Sequence, residues 1–281
     1  MTFILESLLD IADEYDALVF DQWGVLHNGT DPYPQAVDIL IELRRRGHFM
    51  AVLSNSGRRA RPNEELIEQI GFPRGLFGRV MSSGEALWQD MSAGRIAEQI
   101  FFKVERKPGD AEQFARGLKV EFVSQIQEAE AVLLLGVPDE SAIEEWEDSL
   151  NEAAALGLPF YCANPDRFSP RPGGKLALQP GSLAYAYKDR GGPVSFYGKP
   201  HLPVFSGLER AVDMIGGRFL MIGDSLEHDI AGASTAGWDS VFVLGGLHKS
   251  GIDENDVPGS IENLAIAHGI KPPTFAIREA K

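Results

Sequence analysis

The sequence has one cysteine, Cys162, in 281 residues, so no internal disulfide can form. Nothing in this usage argues for an oxidising compartment. Long apolar runs are missing too. Stretches such as Ala131–Leu135 fall far short of the ~20 residues a membrane span needs. Positive charge is scarce: 26 Lys and Arg stand against 41 Asp and Glu, for a net charge of −15. An acidic surface repels phosphate backbones and anionic lipid, which argues against nucleic acid or a membrane as partner. The first residues, Met1-Thr2-Phe3-Ile4-Leu5-Glu6, lack the basic region of a signal peptide, so the expectation is a soluble, cytoplasmic protein. What remains is ordinary globular composition, 44% apolar and 24% charged. At roughly 150 residues per domain, the length predicts about two domains.

Short apolar runs alternate with amphipathic stretches. Ala17–Phe20 reads as a buried strand ending at Asp21. Pro34–Arg46 has helical spacing, with Ala36, Val37, Leu40, Ile41 and Leu43 on one face and Gly47 as the stop signal. Phe49–Leu53 is a second strand, and Pro62–Ile70 a second helix. The rhythm returns late in the chain: helix Pro203–Ile215, strand Phe219–Ile222, helix Asp229–Ala236, strand Ser240–Leu244. This alternation predicts an α/β fold with a Rossmann-like parallel sheet covered on both faces. Polar residues gather at the C-terminal ends of the strands, where open α/β sheets bind ligands. The middle of the chain has its own elements, with helical stretches at Gly84–Met91, Gly109–Gly117 and Ser141–Leu156 and strands at Ala131–Leu135 and Leu158–Cys162. Asn164–Gly181 is rich in Pro and Gly and reads as a loop or ribbon. The division predicted is a core of residues 1–79 and 189–281 with an inserted α/β domain of residues 80–188.

Four motifs follow one another along the chain: Asp21-Gln22-Trp23-Gly24-Val25-Leu26, Ser54-Asn55-Ser56-Gly57, Gly198-Lys199-Pro200, and Gly223-Asp224-Ser225-Leu226-Glu227-His228-Asp229. The third pins a lysine between Gly and Pro, and the other three carry polar groups to strand ends. Singly, each has a plainer reading as a turn former, a helix cap, a surface lysine or an Asp-rich turn. In this order they resemble the haloacid dehalogenase superfamily of Mg-dependent phosphohydrolases. The position of the insertion, together with Ser82-Ser83-Gly84-Glu85 and Asn164-Pro165-Asp166, resembles its type IIA branch, which carries a large α/β cap and includes nitrophenylphosphatase-like and sugar- or nucleotide-phosphate phosphatases.

The resemblance implies a phosphatase of a small phosphorylated metabolite. Asp21 would be the nucleophile that forms an aspartyl-phosphate. Mg²⁺ would be held by Asp21, Asp224 and the Trp23 backbone carbonyl, with Asp229 ligating directly or through water. Ser54 would hold the transferring phosphoryl and Lys199 would neutralise it. Asn55, Asn164 and Asp166 would complete substrate binding. The resemblance leaves open whether the protein forms a homodimer.

One position departs from the family pattern. Trp23 stands where these phosphatases carry a second Asp, the general acid and base. An indole N–H does not titrate usefully, so proton transfer worth roughly 10²–10⁴ in rate lacks its usual donor. Nearby His27 is a substitute to examine, although a neutral loop histidine is the plainer reading. Two alternatives follow from Trp23: hydrolysis of a non-phosphoester bond, C–halogen or C–P, or a low-turnover phosphate-binding or regulatory protein. Other motifs do not hold. Gly245-Gly246-Leu247-His248-Lys249-Ser250 lacks the Gly before Lys that a P-loop needs, and Gly173-Gly174-Lys175 lacks the hydroxyl residue. His201 and His228 are not spaced as zinc ligands, and Cys162 reads as a small buried apolar residue.

Overall fold

The computed structural model describes residues 2–170 and 176–281. Gly173-Gly174-Lys175 lies outside the described residues. The chain divides into two compact units: Met1–Ser54, Arg61–Met81 and Lys199–Lys281 form the first, and Asn55–Ala60 with Ser82–Gly198 the second.

The first unit is built on a seven-stranded sheet. Its order is Phe3–Ile4, Phe275–Ile277, Asp239–Val243, Phe219–Gly223, Ala17–Phe20, Met50–Ser54, Arg79–Ser82. The pairs from Phe3–Ile4 across to Met50–Ser54 run parallel. Ala17–Phe20 lies between Phe219–Gly223 and Met50–Ser54 and is buried at all four positions. A strand covered on both faces has no polar face, which is why it reads as an unbroken apolar run. Helix Pro34–Arg45 buries Ala36, Ile39, Leu40 and Leu43. These follow i, i+3, i+4, i+7 spacing, and Ile41 falls off that stripe into solvent. Ile39 thus occupies the place on the face that the sequence reading gave to Ile41.

The second unit carries a five-stranded parallel sheet in the order Val194–Phe196, Phe160–Cys162, Ala131–Leu134, Ile100–Val104, Glu121–Val123. Residues 189–198, assigned to the core by sequence, supply one of its edge strands. Phe168–Pro170 and Leu176–Leu178 pair antiparallel within the stretch read as a ribbon. The ring of Tyr187, fully buried, stacks on Phe160 with centroids 3.7 Å apart. The Tyr187 hydroxyl donates to the carbonyls of Leu158 at 2.6 Å and Ala153 at 3.2 Å, so its polar end is satisfied inside this core.

Cys162 lies in the same core, and burial pushes its thiol up to about 12. At pH 8 the thiolate fraction is then on the order of 10⁻⁴. Cys162 should therefore resist iodoacetamide in the native protein and react only as the second unit unfolds. Mass spectrometry along a urea titration checks this, and prompt labelling in buffer would contradict it.

Candidate active site

Asp21 directly follows the Ala17–Phe20 strand. Its N–H donates to the Ile222 carbonyl at 2.9 Å, extending the ladder by one residue and fixing the carboxylate at the C-terminal end of the sheet. The chain then turns sharply. The Gln22 carbonyl accepts from the N–H groups of Leu26 (2.9 Å) and His27 (3.2 Å), and Gly24 takes a φ of +81°. Two strand ends flank this turn in the sheet, with Ser54 closing Met50–Ser54 and Asp224 following Phe219–Gly223.

Asp21, Asp224 and Asp229 each offer a carboxylate oxygen, and the three lie within 4.8 Å of one another. Lys199, 3% exposed, donates to Asp21 Oδ1 at 2.6 Å and to Asp229 Oδ1 at 2.7 Å. Residues more than 200 positions apart in sequence thus meet at one strand end. Asp229 is fixed by the Ser225 N–H, which donates to its Oδ2 at 3.1 Å. It sits in a single π-helical turn, Leu226–Ile230, where the sequence predicted the start of an α-helix. The regular helix is confined to Ala231–Ala236. Asp224 Oδ2 accepts from the Leu247 N–H at 2.8 Å.

Three carboxylates, Asp224 and Asp229 buried and Asp21 half-buried, face one ammonium, and the electrostatics reflect that imbalance. Burial and the charges of Asp229 and Asp21 push the Asp224 carboxyl up to about 7. Burial also raises Asp21, against the pull of Lys199. Burial alone would lower Lys199, but the two carboxylates it touches override this and raise it. The donor set is all oxygen and carries excess negative charge, which fits a hard divalent cation such as Mg²⁺. The surrounding backbone is shaped to the carboxylates. A Cβ on Gly24 or Gly246 would collide with the Asp224 carboxylate, and one on Gly223 with that of Asp229.

This packing supports a prediction. Gly24→Ala forces a side chain into left-handed backbone and displaces Asp224. A misplacement of that kind costs about 100-fold in turnover. Steady-state assays should show that loss with the fold retained by circular dichroism, and an unchanged rate would mean that Asp224 is not needed where it stands.

Trp23 is 58% exposed, with its ring against Gly29 and edge-on to His27. His27 is buried. Its Nδ1 accepts from the Gly29 N–H at 3.0 Å, which leaves the proton on Nε2. Burial lowers its pKa despite the nearby Asp21 charge, so it stays neutral and is a poor proton donor to a leaving group. The structure thus keeps the plainer reading of His27.

The remaining sequence candidates belong to the second unit. Asn55 donates through Nδ2 to Asp166 Oδ1 at 2.8 Å, and Asn164 Oδ1 accepts from the Asp166 N–H at 2.9 Å. These three form one hydrogen-bonded group. Ser82 caps the Ser83–Ser92 helix, and the buried Glu85 accepts from Arg59 at 2.6 Å and from the Ala60 N–H at 3.1 Å. Sequence inspection flagged Glu85 only as part of a motif. Arg59 carried no signal, since one arginine of Arg58-Arg59-Ala60-Arg61 resembles any solvated cation in a polar run.

Two family models match the chain, "haloacid dehalogenase-like hydrolase" over residues 18–111 and "HAD-hydrolase-like" over residues 196–264. The chain belongs to the haloacid dehalogenase-like hydrolase family. Its type IIA placement accords with the parallel-sheet unit inserted in the chain. Mouse (Mus musculus) chronophin is 26% identical over 247 residues, spanning 86% of this chain and 85% of that one. D-glycerol 3-phosphate phosphatase of Mycobacterium tuberculosis is 27% identical over 243 residues, 85% of this chain and 66% of that one. A haloacid dehalogenase-like hydrolase of Brucella suis, solved as a crystal structure, superposes with a TM-score of 0.80 at 29% identity, covering 99% of this chain and 100% of that one. The M. tuberculosis glycerol phosphate phosphatase has been solved with magnesium and with calcium. Among the described residues, no helix is long and apolar enough to cross a membrane.

Proposed function

We propose that this hydrolase is a Mg²⁺-dependent phosphatase of a small phosphorylated metabolite, acting through an aspartyl-phosphate on Asp21. The observation that carries the reading is the junction of Asp21, Asp224, Asp229 and Lys199 at one strand end. The names of the M. tuberculosis relative and its magnesium-bound structure support it.

Asp21, Asp224 and the Trp23 carbonyl would hold the cation, with Asp229 ligating directly or through water. When bound, Mg²⁺ supplies charge that lets a carboxylate approach a phosphate. An Asp21 oxygen forms a bond to phosphorus as the ester P–O bond breaks and the leaving oxygen takes that electron pair. Water then attacks phosphorus and the Asp21 O–P bond breaks; the carboxylate takes that electron pair, and the water's protons pass to the departing phosphate and to solvent. Lys199 keeps Asp21 ionised before attack and offsets phosphoryl charge during it. Ser54, on the neighbouring strand end, would donate to a phosphoryl oxygen. The second unit would serve as the cap that selects substrate, with Asn55, Asn164 and Asp166 as its contacts.

The intermediate is the direct test. Acid quenching on the millisecond scale during turnover of an aryl phosphate, then peptide mass analysis, should place a phosphoryl group on Asp21. A phosphoryl group on any other residue would overturn the assignment.

A further inference from the structure

Beside the carboxylate site along the chain, the first unit gathers a different set of ligating atoms. Glu227 lies in the π-helical turn, His248 in the segment after strand Asp239–Val243, and His268 at the C-terminal end of helix Val257–Ala267. One carboxylate spans both imidazoles. Glu227 Oε2 is 3.2 Å from His248 Nε2, and its Oε1 is 2.9 Å from His268 Nδ1. The three ligating atoms lie within 4.8 Å of one another. The two rings meet edge-on, with centroids 5.2 Å apart.

We propose that Glu227, His248 and His268 form a second metal site, which takes a borderline divalent cation of the Zn²⁺ class. Two imidazoles and one carboxylate are a donor set for zinc-like ions, whereas Mg²⁺ prefers oxygen alone. Bonds of ~2.0–2.1 Å in tetrahedral geometry put ligand atoms roughly 3.3–3.4 Å apart. With the three ligating atoms within 4.8 Å of one another, side-chain rotation draws them together around an ion. The side chains of Glu227 and His268 reach solvent, which leaves an entry path and room for water as a fourth ligand. The site is independent of the phosphatase reading. It borders the carboxylate site through the chain, since Leu247, next to His248, donates its N–H to Asp224.

The test uses Co²⁺, a spectroscopic stand-in for Zn²⁺, titrated into the metal-stripped full chain with saturating Mg²⁺ present. The expected result is a tetrahedral ligand-field band that saturates at one equivalent. His248→Ala and His268→Gln should each weaken binding by more than about 100-fold, because even losing a partner of a ligand costs 10–100-fold. Asp224→Asn should keep the band. No band in the wild type, a band that survives both histidine substitutions, or a band lost in Asp224→Asn would overturn the site. A second measurement needs no variant: Zn²⁺ should shield His248 and His268 from diethyl pyrocarbonate, read by peptide mass, and equal labelling with and without Zn²⁺ would also overturn it.

Discussion

Asp21→Asn should abolish turnover, by on the order of 10⁴–10⁶, while the protein stays folded. The amide is nearly the same size as the carboxylate, but it cannot attack phosphorus or offer a charged oxygen to a cation. Asp21 also supports Lys199, which donates to it at 2.6 Å. The substitution leaves a neutral acceptor in place of a charged one, and Asp229 still pairs the lysine at 2.7 Å. Stability should change little against that loss of rate. Assays with a sensitive aryl phosphate, alongside thermal melting, separate the two quantities. Wild-type turnover by the folded variant would mean that the nucleophile is another residue.

The second large effect concerns the leaving group and follows from Trp23. Without a titrating acid there, the leaving oxygen departs nearly as an anion. Nitrophenolate and carboxylate do so readily, and a sugar alkoxide does not. Rates should therefore fall steeply as leaving-group basicity rises. Trp23→Asp should restore the missing donor and raise turnover of alkyl phosphates by ~10²–10⁴, with a much smaller gain on aryl phosphates. Because the indole is 58% exposed, its removal opens no buried cavity. The stability cost should be roughly 1 kcal/mol or less. Paired rates on both substrate classes settle the cause, since a packing defect lowers both alike. If the wild type hydrolyses alkyl and aryl phosphates equally fast with chemistry rate-limiting, another group supplies the proton. The neutral, buried state of His27 argues that it is not that group.

Much of this site was legible in the sequence because apolar strands announce themselves and their last residues are polar. Asp21, Ser54 and Asp224 were each placed at a strand end from the run that precedes them, and the order of the motifs tied them together. Lys199 had no strand signal, and only the motif order pointed to it. The edges of the sheets were not legible. Phe3–Ile4, Glu121–Val123 and Val194–Phe196 are two or three residues long, too short for any periodicity to register. Helix Pro180–Asp189 was hidden by its own first turn. Pro180-Gly181-Ser182 reads as turn chemistry, although Pro is also at home where a helix begins. The Glu227, His248 and His268 cluster could not be read at all. Its members come from separate elements without zinc-ligand spacing, and folding alone brings them together.

The most direct measurement of the central claim is release of p-nitrophenol from p-nitrophenyl phosphate by the wild-type chain, with Mg²⁺ and after chelation. Turnover should saturate with Mg²⁺, vanish on chelation and return when Mg²⁺ is added back. Hydrolysis at the same rate in excess chelator, or none at any Mg²⁺ concentration, would contradict that claim.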